Sequence, residues 1–191
     1  TTANVTPKAL TVTATGINKV YDGNATATVT LADNRVSGDV LTDAYSAASF
    51  NNKNVADGKS VTVTGISISG TDAGNYTFNT TASTTANVTP KTLTTSGITA
   101  SNKEYDGTNA ATINTAAATL VGMVGGDDVS LSSGVAVGTF DNKNVGDAKT
   151  VAVSGLTLSG ADANNYTVNS TAATTANVTP KALTVTATGI N

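Results

Sequence analysis

The sequence has no cysteine, no histidine and no tryptophan, and a single methionine. Without Cys it can build neither a disulfide framework nor a thiolate metal site. Without His or Cys, imidazole activation of a nucleophile and thiol catalysis are both excluded. Paired carboxylates can still act on a glycoside, but aromatic residues make up only 4% of the chain, too few to line a sugar-binding cleft. The reading is non-enzymatic. Charge is scarce as well, at 12% of residues with a net of −3. A phosphate backbone calls for clustered Lys and Arg, so no nucleic-acid partner is expected. No apolar run reaches spanning length, so no membrane insertion is expected either.

What the chain has instead is threonine and repetition. Thr supplies 38 of the 191 residues, and with Val it suits a pleated strand better than a helix, because branching at Cβ is tolerated there. The first eighteen residues, TTANVTPKALTVTATGIN, return letter for letter at 174–191, and a divergent copy lies at 84–102. Such a chain reads as a slice of a tandem array. Pro7 to Pro90 spans 83 residues and Pro90 to Pro180 spans 90. The motif order is the same in both units. Tyr21 to Phe50 is 29 residues and Tyr105 to Phe140 is 35, whereas Phe to the next Pro is 40 in each. The six extra residues fall mid-unit, and Gly122, Gly125 and Gly126 point to a loop there.

Within a unit the pattern is of short strands. Leu10, Val12 and Ala14 alternate with Thr, and Ala25, Ala27, Val29 and Leu31 alternate again, the period of half-buried strands. Tyr21-Asp22-Gly23 supplies a turn between them. Val61 and Val63 share one parity, Gly65 intervenes, and Ile66 and Ile68 take the other; Val151, Val153, Gly155, Leu156 and Leu158 repeat this. The switch predicts a bend at the glycine. About seven short strands with frequent turns fit a sandwich. The expected fold is all-β: two immunoglobulin-like β-sandwich modules end to end in an elongated rod, with β-grasp-like modules as the alternative. The expected divisions are 1–6 as the closing strand of a preceding repeat, 7–89 and 90–179 as the two modules, and 180–191 as the opening strand of a following one. Pro7, Pro90 and Pro180 mark the junctions, where a missing donor and a fixed φ stop a ladder.

The ordered strings YDG (21–23, 105–107), GDV or DDV (38–40, 127–129), NKNV (52–55, 142–145), GISISG or GLTLSG (65–70, 155–160) and NYT (75–77, 165–167) carry a resemblance. They resemble the YDG-type tandem repeats of large bacterial haemagglutinin-like surface adhesins. The resemblance covers the chain twice. It implies an extracellular, cell-surface setting and a structural stalk or spacer that projects a distal adhesive domain. It brings no catalytic residues. The alternative function is a glycan- or host-protein-binding module acting through the enlarged loop of the second repeat, with a host or biofilm ligand.

Several charges recur between the units: Lys8/Lys91, Lys19/Lys103, Asp22/Asp106, Asp39/Asp128, Lys53/Lys143, Asp57/Asp147, Lys59/Lys149 and Asp72/Asp162. The plain reading sets Asp at turns and Lys as a guard on strand edges. A sharper one makes Asp22, Asp39, Asp57, Asp72, Asp106, Asp128, Asp147 and Asp162 calcium ligands, since loop carboxylates are the oxygens Ca²⁺ takes. No EF-hand spacing is present, so distant carboxylates would have to converge. An intramolecular Lys–Asn cross-link would need a buried Lys, a facing Asn and a carboxyl kept protonated by burial. The expected partners are neighbouring repeats of the same chain. The molecule is read as a monomer whose end strands can make head-to-tail contacts.

Overall fold

The computed structural model describes residues 1–169 and 172–189. Among these are 3-10 turns at Ala73–Asn75 and Ala163–Asn165 and no α-helix; the rest is strands and turns. The described chain forms two compact units, Thr1–Lys91 and Thr92–Asn191. The all-β, sandwich-like class read from the sequence holds in both.

Five extended runs make the first unit. β1 (Lys8–Leu10), β2 (Val12–Ile17) and β3 (Lys19–Val20) form the first, and β4 (Thr28–Asp33) the second. β5 (Thr42–Ala44) and β6 (Ala47–Phe50) form the third, β7 (Ala56–Thr64) and β8 (Ser67–Ser69) the fourth, β9 (Tyr76–Phe78) and β10 (Thr81–Thr89) the fifth. Successive runs pair antiparallel: β2 with β4, β5 with β8, β6 with β7, β7 with β10. The second and third runs meet at the Thr26–Ser49 bridge, where the Ala27 N–H donates to Ala48 O at 2.9 Å. The first and fifth runs close the circuit in parallel, β1 on β9 and β3 on β10.

That parallel closure follows from counting. In a meander each run reverses the last, so with five runs the first and fifth point the same way and their pairing must be parallel. The chain therefore enters the unit at one pole and leaves at the other. At about 3.3 Å per residue, the run from Lys8 to Val20 spans ~40 Å.

The second unit repeats the plan. Its runs are β11 (Lys91–Ser96), β12 (Thr99–Ala100) and β13 (Lys103–Glu104); β14 (Ala110–Ala111), β15 (Ile113–Asn114) and β16 (Thr119–Val121); β17 (Ser130–Ser132) and β18 (Val137–Phe140); β19 (Gly146–Ser154) and β20 (Thr157–Ser159); β21 (Tyr166–Val168) and β22 (Ala172–Thr179). β11–β16, β12–β15, β14–β18, β17–β20, β18–β19 and β19–β22 are antiparallel, and β13 lies parallel on β22.

Alternation fills the cores. Val61, Val63, Val151 and Val153 are fully buried, and beyond the glycine Ile66 and Leu156 are buried in turn. Gly65 has φ +65°, and a Cβ there would stand 1.9 Å from Ser46 Oγ. The bend thus requires glycine, and it carries the strand from one layer to the other. The second core packs Phe140, Val151, Ala176 and Val178 against Ala100, Ala111 and Ile113.

Residues 1–6 and 180–189 carry no strand and are exposed; Ile190 and Asn191, which the sequence reading places in a following strand, lie outside the described residues. Pro90 stands between the last residue of β10 and the first of β11.

Candidate functional site

Two side-chain clusters recur, one at each pole of a module. Where the chain leaves, β3 is followed by Tyr21, whose N–H donates to Thr89 O at 2.9 Å and extends the parallel ladder by one bond. Gly23 turns the backbone at φ +83°. Asp22 Oδ1 accepts the Asn24 N–H at 3.2 Å and the Lys19 ammonium at 2.7 Å. Lys19 Nζ also donates to Asn24 O at 2.8 Å and Thr26 O at 2.9 Å, and stands 5.6 Å above the Phe50 ring. Lys103 repeats this on Asp106 (2.9 Å), Thr108 O (2.9 Å), Ala110 O (2.9 Å) and the Phe140 ring (5.6 Å). Lys, Asp and the buried Phe form one unit: an ammonium satisfies the carbonyls that a tight turn leaves over, and its other face rests on an aromatic ring.

Burial pulls the Asp22 carboxyl upward, but the Lys19 hydrogen bond and the Asn24 N–H outweigh it and hold the pKa below the ordinary value. Asp106 is held well below the carboxylate range by Lys103 and by the Thr108 N–H and hydroxyl. Lys19 and Lys103 therefore organise turns, and they do so from β3 and β13, each the edge strand of its sheet.

Where the chain enters, Tyr76 pairs with Lys8 in the parallel ladder. Its hydroxyl donates to Asp39 Oδ2 at 2.5 Å and accepts the Val36 N–H at 2.9 Å, and the carboxylate raises the phenol pKa. The Val40 N–H donates to Asp72 Oδ2 at 2.9 Å. In the second module Tyr166 donates to Asp127 Oδ2 at 2.6 Å and accepts from Val124 N–H at 3.0 Å, and Asp162 Oδ2 accepts the Asp128 N–H at 3.0 Å. The counterpart of Asp39 is thus Asp127. The pairing of Asp39 with Asp128 is off by one, because Leu41 and Val129 are the equivalent buried residues.

The same anchors relocate the six extra residues. Four of them precede Val124 and two follow it, since Val36 and Val124 are equivalent. One falls between Leu120, which pairs with Thr95 as Asp33 pairs with Val12, and Val124. The others fall around a turn in which Ala118 N–H meets Thr115 O and another in which Ala136 N–H meets Ser133 O, both at 3.0 Å. The Thr115 and Ser133 hydroxyls join the two turns at 3.0 Å. The segment from Met123 to Gly126 is not enlarged: Gly126 at φ +90° repeats Gly38 at φ +99°.

The remaining acidic candidates lie on a strand bulge. Asp57 and Gly58 stand opposite Asn87, whose Oδ1 accepts the Gly58 N–H at 2.8 Å. Asp147 and Ala148 repeat it on Asn177 at 2.7 Å. The structure brings no three acidic side chains together among the described residues. Asp22 and Asp106 hold ammonium groups, Asp39 holds a phenol, Asp72, Asp128 and Asp162 hold backbone N–H groups, and Asp57 and Asp147 are exposed.

A family model for the YDG domain matches residues 6–86 and again 89–176. The chain belongs to the YDG domain family. No curated protein matches it, and no solved structure does.

The signature Tyr-Asp-Gly of each YDG domain is therefore a structural turn at the exit pole, tied to its Lys and Phe. The Lys59 ammonium of the first domain meets Asn52 Oδ1 and Asn54 O, both at 2.6 Å, and burial lowers its pKa. Lys149 of the second meets Asn142 Oδ1 and Asp141 Oδ1, both at 2.8 Å. Lys149 holds Asp141 ionised, which is the wrong state for the protonated acid a Lys–Asn cross-link requires.

One cluster belongs to the first YDG domain alone. Arg35, the sole Arg of the chain, grips Asp33 with Nε to Oδ1 at 2.8 Å and Nη2 to Oδ2 at 2.5 Å. The same Nη2 stands 3.5 Å from Asp43 Oδ2. Recurrence between the units points to charged sites that occur twice and passes over a cluster that occurs once. The signal that finds it is a lone Arg two residues after an Asp, at the position where the other repeat has Met123.

Proposed function

We propose that this chain is a non-catalytic stalk or spacer segment of a bacterial cell-surface adhesin, set outside the cell and projecting a distal adhesive domain. The observation that carries the reading is the parallel pairing of the first and fifth runs in each YDG domain. A module entered at one pole and left at the other adds its own length to a tandem array. Tension between those poles runs along the paired strands, so their hydrogen bonds are loaded together in shear.

Side chains reinforce that seam. Between the two parallel ladders Asn79 Oδ1 accepts the Val12 N–H at 2.8 Å, and its Nδ2 donates to Val12 O at 2.9 Å. Near the exit the Asn87 N–H donates to Asn18 Oδ1 at 2.7 Å, repeated by Asn177 on Asn102 at 2.7 Å. The adhesin and cell-surface setting rests on the resemblance of the ordered motifs. The partners are neighbouring repeats of the same chain.

Small-angle scattering on arrays of two, four and six domains tests the reading. Maximum dimension should grow linearly, by ~40 Å or slightly more per domain. Growth as the square root of domain number would make the domains beads on a flexible string and end the spacer proposal.

A further inference from the structure

In the Asp33–Arg35–Asp43 cluster two buried carboxyls share one guanidinium. The Asp33 side chain is 2% exposed and that of Asp43 7%. One guanidinium faces both, so with both acids ionised the cluster carries a net negative charge. Asp43 Oδ1 is buried and has no hydrogen-bond partner among the described residues. An acceptor in that state loses the solvation of its lone pairs and gains nothing in return. A proton on Asp43 removes the excess charge and turns an orphaned acceptor into a donor beside the Asp33 carboxylate.

We propose that this cluster is a proton-binding site, and that taking up one proton at Asp43 tightens the first YDG domain but not the second. The groups around it fit. β8 faces β5 with Ser67, Ile68 and Ser69, none of them charged. Tyr45 shares with Arg35, Asp43, Val29 and Leu31 an open cleft beside the cluster. The Tyr76 hydroxyl, whose field reaches Arg35, already donates to Asp39, and Lys8 bonds Asn34 O at 3.3 Å. Burial, then the neighbouring Asp33, raises the Asp43 pKa, and Arg35 opposes them. Arg35 holds Asp33 at about 2, so the first proton goes to Asp43.

The second domain lacks the device. Leu93 follows Lys91 as Leu10 follows Lys8, so Thr95 matches Val12 and its ladder partner Leu120 matches Asp33. Leu158 follows Gly155 as Ile68 follows Gly65, so Leu131 matches Asp43. Where the first domain has three ionisable side chains, the second has Leu120, Met123 and Leu131.

The sign follows from linkage. A carboxyl whose folded pKa is raised binds its proton more tightly when folded, so stability rises as pH falls from neutral through that pKa. The gain is complete near the unfolded value of about 3.9, below which the depressed Asp22 and Asp33 begin to take it away.

The test is carboxyl-carbon NMR titration of the whole chain, with native-state hydrogen exchange at Val61 and Val63 and at Val151 and Val153. Asp43 should titrate above an ordinary aspartate, and each unit of elevation should bring a tenfold rise in the folding constant of the first domain alone. Asp43→Asn, an uncharged donor of the same shape, should abolish the rise. An Asp43 midpoint at or below the ordinary value overturns the proposal without recourse to any variant. An equal rise in the second domain, or one that survives Asp43→Asn, overturns it too.

Discussion

At the residue scale the two domains test each other. Gly58 and Ala148 hold the same bulge position, with φ of +59° and +47°. Left-handed backbone costs a residue with a Cβ about 1–2 kcal/mol, and nothing lies within 4 Å of a Cβ at Gly58. Space is therefore not the issue, only conformation. Ala148→Gly should stabilise the second domain by ~1 kcal/mol and Gly58→Ala should weaken the first by a similar amount, read from urea midpoints of each domain. Failure of the pair to move in opposite directions would mean that the bulge relaxes freely. Acid is the second residue-scale test. Asp22, Asp106 and Asp141 have depressed pKa values, so their contributions are present above about pH 4 and lost as pH falls below it. Lys103→Met should shift the acid-unfolding midpoint of the second domain toward that of a chain with unperturbed carboxylates. The sequence made the turn at Tyr-Asp-Gly legible, because Asp and Gly have fixed turn chemistry. It hid the Lys and Phe that complete the turn, since these arrive from a β-strand before it and from another run 31 residues after Lys19.

At the element scale the parity switch was legible and its geometry follows from it. Val61 and Val63 lie on one side of Gly65, Ile66 on the other, and all three are buried because the strand changes layer at the glycine. In the second domain a Cβ on Gly155 would stand 2.5 Å from Val135 O with φ at +77°. Gly155→Ala should cost the second domain roughly 1–3 kcal/mol, a shift in its thermal midpoint alone. The location of the extra residues was illegible for a geometric reason. Tyr and Phe landmarks bracket the whole interval and report only its total, whereas the phenol contacts of Tyr76 and Tyr166 divide it. Strand formation shows the same dependence on distant partners. KALTVTATG is strand over most of 8–16, where the fifth run and β4 pair with it, and carries no strand at 181–189. Local β preference was read correctly from Thr and Val, yet the preference alone does not make a strand.

At the scale of the whole molecule, meander order decides how each domain meets force. An odd number of runs places the chain's entry and exit at opposite poles and makes the first and last strands parallel neighbours. Pulling on Thr89 against Lys8 therefore slides one strand along the other, and the ladder bonds, the two Asn79 bonds and the Tyr21 N–H bond must yield together. An unzipping geometry would break them one at a time at low force. Stretched between its ends, a two-domain chain should show two separate high-force events. Opening the chain from Lys8 to Thr89 should release ~250 Å, taking about 3.6 Å per extended residue less the ~40 Å folded span. Asn79→Ala removes the two side-chain bonds that bridge the ladders and leaves Val12 N–H and C=O without them, a loss on the order of 1–3 kcal/mol. It should lower the force of one event while leaving its length and the other event unchanged. If instead both domains open at low force, or if Asn79→Ala leaves both peaks where they were, the seam between the first and fifth runs is not what resists, and the mechanical reading fails with it.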